Sequence, residues 1–380
     1  MAINFDSFTE GTTSTIQTDD YVVGFDTAVP GGERKFRVST IANAVSGIIT
    51  PALVETPAFT GTFKNKIING DMRIDQRRAG AVYTQPANTA GYGSCDRWFL
   101  YPIGSALSAQ RVSGTLFNTQ HALALSGATG NTQTQLFHRI ESANCYDLAG
   151  QTITLSFNAC SNTSLSTAYA LTSLSGAADV WNNQTLATPI NFAGGTFNLT
   201  TIPTKYSFTC VVPSSATNGI QIALFGNALN ASQAIYLTNV QLEKGPTATP
   251  FEHRPIGTEL ALCQRYYEKS YNLNTAPGTA ETVTSGFQGT IIMRLFGLSM
   301  DTASGGFVSI YFKVMKRSNP ALTLYSARGT LGAFTDLNPL VDRTSLVAAS
   351  IGQFGFQPAY QGGLIAISSP CFHFIADAEL

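Results

Sequence analysis

The stretch Gln151 to Cys160, QTITLSFNAC, constrains this chain more than any other. Ile153, Leu155, Phe157 and Ala159 alternate with Thr152, Thr154, Ser156 and Asn158, the period of a strand with one buried face. Lys205 to Pro213 repeats the pattern, with Tyr206, Phe208, Cys210 and Val212 on one side. Gly219 to Gly226 adds Ile220, Ile222 and Leu224. Ala234 to Gly245 carries two phases, Ile235 with Leu237 and then Val240 with Leu242. Such a slip would turn half the apolar residues outward, so a β-bulge is predicted near Thr238 and Asn239. Many short strands between Gly- and Asn-rich turns predict a jelly-roll sandwich over residues 65–251.

Composition agrees with this reading. Only 12% of the 380 residues are charged, against 44% hydrophobic, so Ser, Thr, Asn, Gln and Gly must cover the surface. Long amphipathic helices would need Glu, Lys and Arg on their wet faces. Such a low charge also suits a chain that buries surface in an oligomer. The net charge is −1 and no basic stripe is visible, which argues against nucleic-acid binding. The six cysteines are widely spaced, without a CxxC or Cys/His pattern, and read as small buried apolar residues. The first residues show neither a basic nor an apolar signal region, and no apolar run reaches membrane-spanning length. Synthesis in a cytoplasm is expected.

The length exceeds what one core serves and predicts more than one domain. Residues 1–63 read as a strand, a Pro30-Gly31-Gly32 turn, a second strand over Lys35 to Val38 and a short helix from Ser39 or Thr40 to Val45. That unit is too small to bury a core alone. A linker with Pro51 and Pro57 follows, then the sandwich over residues 64–255. Thr258 is predicted to cap a short helix carrying Leu260, Cys263, Gln264 and Tyr267 on one face, with Tyr266 and Tyr267 packing a joint. Residues 256–380 form a second β-sandwich, with strands expected in Gly289–Gly297, Gly305–Val314, Ala321–Ser326, Gly362–Ser368 and Cys371–Leu380. The fold class is therefore mainly β, an N-terminal segment followed by two sandwiches.

Four stretches carry a family resemblance: KNKIINGDMRIDQR (Lys64 to Arg77), YGSCDRWFL (Tyr92 to Leu100), VQLEKGPTATPFEHRPIGTELALCQRYYEKSY (Val240 to Tyr271) and the closing FHFIADAEL (Phe372 to Leu380). Together they resemble the β-sandwich module of bacteriophage tail and head fibres. The resemblance implies a homotrimeric tail fibre of a tailed phage, found in the virion and released by lysis. It would attach to the tail or baseplate through its N-terminal segment, where Tyr21, Val22, Val23, Phe25, Arg34 and Phe36 are the candidate contacts. The C-terminal sandwich would be the distal tip that binds a host surface glycan. Candidate receptor-binding residues there are Tyr271, Asn272, Phe334, Asp336, Phe356, Tyr360 and Gln361, with Trp181 as an exposed aromatic in the central sandwich. Alternatives are a capsid-attached head fibre or decoration protein, a polysaccharide-degrading tailspike enzyme, and a free-standing lectin domain.

Nothing in the residues themselves points to catalysis. Glycan hydrolysis calls for two carboxylates in one groove. Asp96, Glu141, Asp147, Asp179 and Glu243 are scattered, and no G-x-S-x-G occurs. His121, His138, His253 and His373 are isolated and read as structural. No calcium loop or zinc pattern appears, so neither metal nor cofactor is expected. Asp96-Arg97-Trp98 reads as a buried Trp with an Arg–Asp pair at a sheet edge rather than as a sugar-stacking platform.

Overall fold

The computed structural model describes residues 21–25, 33–37, 63–181, 189–281, 289–292, 309–337, 340–361 and 370–380. The chain divides into two compact units, Met1–Phe63 and Lys64–Leu380. In the first, β1 (Tyr21–Phe25) pairs antiparallel with β2 (Glu33–Arg37), Tyr21 opposite Arg37 and Phe25 opposite Glu33. The Pro30-Gly31-Gly32 turn, the helix over 39–45 and the linker lie outside the described residues.

The second unit opens with twelve strands. They are β3 (Tyr83–Gln85), β4 (Gly91–Tyr92), β5 (Trp98–Leu100), β6 (Leu107–Ser113), β7 (His121–Ser126) and β8 (Leu136–Ile140). They continue with β9 (Thr152–Ser161), β10 (Leu165–Leu174), β11 (Pro189–Leu199), β12 (Thr204–Val211), β13 (Ile220–Leu224) and β14 (Ala234–Lys244). Among the described residues they form two six-stranded antiparallel sheets, in the orders β11-β10-β13-β8-β5-β4 and β12-β9-β14-β7-β6-β3. Consecutive strands repeatedly switch sheets, as a jelly roll requires.

The period-two pattern explains the packing. On β9, Ile153, Leu155, Phe157 and Ala159 point inward and are fully buried. The facing sheet supplies Leu171, Ile220, Ile222 and Leu224. An aromatic group bridges the two sheets. Phe157 stacks on Tyr206 at 5.7 Å and meets Phe197 at 5.8 Å and Phe225 at 6.4 Å, while Tyr169 stacks on Phe208 at 3.9 Å. The predicted bulge is present: the β14–β9 register shifts between Thr238 and Gln241, with Asn239 at φ 54°. Ile235, Leu237, Val240 and Leu242 therefore all reach the core.

Helix α1 (Ser142–Cys145) is a single turn, and α2 (Ile256–Gln264) leads out of the sandwich. Thr258 does not cap α2. The helix begins two residues earlier, after Pro255, and Tyr267 belongs to the strand that follows it. Tyr266 and Tyr267 are buried, as joint residues should be.

The remaining strands are β15 (Tyr267–Lys269), β16 (Ile291–Ile292), β17 (Ile310–Tyr311), β18 (Ala321–Ser326), β19 (Ala333–Leu337), β20 (Leu340–Thr344), β21 (Leu346–Ala349), β22 (Gly355–Tyr360) and β23 (Pro370–Asp377). β15, β23, β19 and β20 form one sheet, with β16 and β18 also paired to β23; β17, β22 and β21 form another. Leu324, Phe334, Phe372 and Phe374 from the first sheet pack against Leu346, Phe356 and Tyr360 from the second. Gly362–Ser368 lies outside the described residues, as do residues 293–297 and 305–308 of the strands expected in Gly289–Gly297 and Gly305–Val314, whose described parts are strand only at Ile291–Ile292 and Ile310–Tyr311.

The two sandwiches share one unit because the resemblance-bearing motifs converge where they meet. Arg97, fully buried, pairs with Glu379, lies 3.5 Å over the Tyr266 ring and donates from Nη2 to the Arg139 carbonyl at 2.6 Å. Arg77 reaches Asp377 at 2.8 Å and Glu379 at 3.2 Å, and lies 3.8 Å over the Tyr267 ring. Gln76 donates from Nε2 to Asp96 at 2.6 Å and to the Tyr267 carbonyl at 2.8 Å. Arg139 and Tyr92 both donate to the Leu380 main-chain oxygen, at 2.7 and 3.0 Å. Arg265 makes a two-point ion pair with Glu141 at 2.7 and 3.0 Å, and the Tyr266 hydroxyl donates to the same carboxylate at 2.9 Å. The Asp96-Arg97-Trp98 run is structural, but with a different pairing from the one expected. Arg97 pairs with Glu379 rather than with Asp96, whose carboxylate is taken by Gln76.

Candidate functional site

Most of the receptor residues expected from sequence are buried. Phe334 and Asp336 are fully buried on β19, and Phe356 and Tyr360 point into the core from β22. Phe334 meets Tyr360 edge-on at 5.5 Å, and Phe356 meets Phe374 at 5.4 Å. The structure brings these rings together as a hydrophobic core, so none offers a free stacking face. The alternation in GFQPAY, with Phe356, Pro358 and Tyr360 inward, is the signal that marks them as core. Asp336 receives Arg343 at 3.4 Å. Asn272 and Gln361 are exposed, at separate strand ends. Trp181 is also buried, with the Arg139 guanidinium 5.2 Å from its ring. Gly219, at φ +119°, lets the indole pack where a Cβ would come within 2.8 Å of it. Tyr21, Val22, Val23 and Phe25 lie on β1, and Arg34 and Phe36 on β2.

Tyr271 stacks on His373 at 3.6 Å in the interior of the C-terminal sandwich. His373 contacts Ser270 Oγ at 3.0 Å and Thr290 Oγ1 at 3.1 Å, and burial lowers its pKa to about 4. Between about pH 6.5 and 4 the unfolded chain takes up a proton there that the folded chain refuses. Stability from this group is therefore complete above pH 6.5 and declines as pH falls, by at most about 3 kcal/mol. Buried Asp96, raised to about 6, works in the opposite direction over part of that range. Melting wild type beside His373→Asn isolates the histidine: the variant should lose less stability than wild type from pH 7 to 4.5. Parallel pH profiles would refute the assignment.

A different set of residues forms an open cleft at one end of the central sandwich. Asp71, Arg73, Phe117, Asn118, Thr119, Gln120, Asn239 and His253 line a space of about 420 Å³. That size is within the roughly 300–1,000 Å³ of small-ligand sites. Four segments meet there, each held by a local device. The turn at residues 69–72 places Asp71, with Asn69 and Met72 at positive φ and the Met72 N–H donating to Asn69 O at 3.2 Å. Gly70 lets this turn press against β14, since a Cβ would collide with the Val240 carbonyl. The Val240 N–H donates to Gly70 O at 2.9 Å. The bulge then delivers Asn239 beside Asp71. The β6–β7 loop contains a 3-10 turn, Thr115–Phe117, ended by Asn118 in the left-handed region. Thr238 Oγ1 donates to His121 O at 2.9 Å, tying the end of that loop to the bulged strand. His253 stands on the rim, edge-on to Phe251 at 4.9 Å.

The cleft floor is charged but balanced. Asp71 pairs with Arg73, whose Nη2 donates to the Arg254 carbonyl at 2.8 Å. Asp71 Oδ1 and the Asn239 amide oxygen are buried without a hydrogen-bond partner. Burial and Arg111 lower the pKa of neighbouring His121. Among the described residues no group of three or more His, Cys, Asp or Glu side chains is arranged to hold a metal ion. An aromatic ring, several amides and unpartnered acceptors suit recognition of a polar, hydroxyl-rich molecule. Sequence reasoning singled out none of these side chains as a site. Asp71 and Arg73 lie inside the KNKIINGDMRIDQR motif, and the bulge at Asn239 is legible, but nothing in the sequence shows that the β6–β7 loop arrives beside them.

No protein-family profile matches the chain, and no curated protein matches it. Solved structures are similar only distantly. A structure titled for CBM4 matches at TM-score 0.29 and 19% identity, over 47% of this chain and 98% of that one. The enzymatically active domain of tailspike protein 4 from bacteriophage CBA120 matches at 0.30 and 16%, over 48% of this chain and 22% of that one. The CBM22-2 xylan-binding domain of Xyn10C from Paenibacillus barcinonensis matches at 0.28 and 17%, over 39% and 92%. Likeness at this level assigns no ligand.

Proposed function

We propose that this protein is an adhesive fibre component of a tailed-phage virion that binds a host surface glycan and does not cleave it. The observation that carries the binding half is the cleft at Asp71 and Asn239, with its ring, amides and unpartnered acceptors. The virion half rests on the four fibre-like sequence motifs. On this reading residues 1–63 attach to the tail or baseplate and the chain is a homotrimer. The receptor contact moves from the C-terminal sandwich, where the expected aromatics are buried, to the central one. Weak single sites would gain avidity from three copies per fibre and several fibres per particle.

The test is binding of the fluorescently labelled chain to an array of bacterial surface polysaccharides, with reducing ends assayed in the same wells. The expected result is saturable binding to a subset of glycans without release of reducing ends, by a species of three times the chain mass in light scattering. Binding to none would overturn the adhesive reading. Release of reducing ends would make the protein an enzyme.

A further inference from the structure

We infer that the cleft is a site for an uncharged saccharide, recognised by hydroxyl groups that donate to Asp71 Oδ1 and the Asn239 amide oxygen; this rests on the glycan-binding reading above. A buried acceptor without a donor is costly, and a ligand hydroxyl would relieve that cost. Asp71 is 5% exposed, and both oxygens are buried on residues that line the cleft. The last torsion of each side chain is soft, and rotation about it is the movement by which either oxygen would meet an arriving hydroxyl. Water could serve one such atom, but the cleft spans about 420 Å³ and offers further polar groups from Asn118, Thr119 and Gln120.

Charge narrows the ligand. The Asp71 carboxylate and the Arg73 guanidinium neutralise each other, and Arg73 also donates to the Arg254 carbonyl. A carboxylated or phosphorylated sugar would face Asp71 at close range and find the nearest cation already paired. A metal ion would face Arg73. A neutral polyol meets neither penalty and supplies the missing donors. The bulge has a function here too: Asn239 sits at φ 54°, a conformation asparagine tolerates, at the register shift that places it among the residues lining the cleft.

Titration calorimetry on the full chain is the test, with glucose-, galactose- and mannose-terminated oligosaccharides and their hexuronate counterparts. At least one neutral oligosaccharide should bind, with its hexuronate counterpart weaker. Asn239→Gly keeps the backbone conformation and removes the amide, and Asp71→Asn removes the charge. Each should weaken binding about tenfold or more, the loss of one hydrogen bond to a strong acceptor. Near-UV circular dichroism and melting confirm that each variant is folded, and Asn239→Gly carries the test should Asp71→Asn unfold. If a neutral sugar binds equally well to wild type and Asn239→Gly, or the hexuronates bind best, this inference falls while the adhesive reading stands. If no saccharide binds, both fall.

Discussion

Replacing Glu379 with alanine should destabilise the protein by about 3–5 kcal/mol, the usual result of removing one partner from a buried ion pair. Arg97 is fully buried, and Glu379 is its only carboxylate partner among the described ion pairs. Without it the guanidinium keeps the Arg139 carbonyl and the faces of Tyr266 and Tyr92, none of them charged, while its desolvation is unrelieved. Arg77 would lose a second contact but retain Asp377 at 2.8 Å. The strength lies in the comparison with a double variant. Arg97→Met with Glu379→Ala removes the stranded charge and should recover much of the loss, because an apolar replacement for a buried pair is often close to neutral. Urea unfolding of the single and double variants measures both. A single variant within 1 kcal/mol of wild type would show that the joint does not depend on this pair.

Phe157→Ala is expected to cost about 3–5 kcal/mol through lost burial and the cavity left behind. Phe157 has no exposed surface and stands at the centre of rings drawn from both sheets. Its neighbours cannot easily collapse into the gap, since Tyr169 and Phe208 are locked in a 3.9 Å stack beside it. Phe157→Leu keeps most of the volume and should lose about half as much or less. Equal losses for the two variants would mean that the site relaxes freely. Denaturant unfolding followed by fluorescence and far-UV circular dichroism reads both.

Much of the fold is legible in the sequence because strand periodicity records which face is buried. Residues 151–160 and 205–213 display it openly, and the phase slip in residues 234–245 discloses even the bulge. The site is less legible, for a physical reason. Aromatic residues on short strands of a small domain serve as core more often than as contact surface, and Phe334, Phe356 and Tyr360 follow that rule. The cleft, by contrast, is assembled from four segments whose nearness depends on loop geometry, which has no period. The family-like motifs were visible as motifs, but their meaning is structural. Gln76, Arg77, Asp96, Arg97, Tyr266, Tyr267 and Glu379 hold two sandwiches together, and among the motif residues Asp71, Arg73 and His253 face the cleft.

The joint also governs how the molecule must assemble. Arg97 and Glu379 are 282 residues apart in sequence, and Arg77 and Glu379 are 302 apart. Closing such long loops yields no contact energy until both ends are in place, so these contacts form late. Each sandwich can gather its own strands first, leaving a cationic socket on one and an acidic segment on the other. Docking then converts two partly independent folding problems into one cooperative transition, and residues 377–380 act as its final clasp.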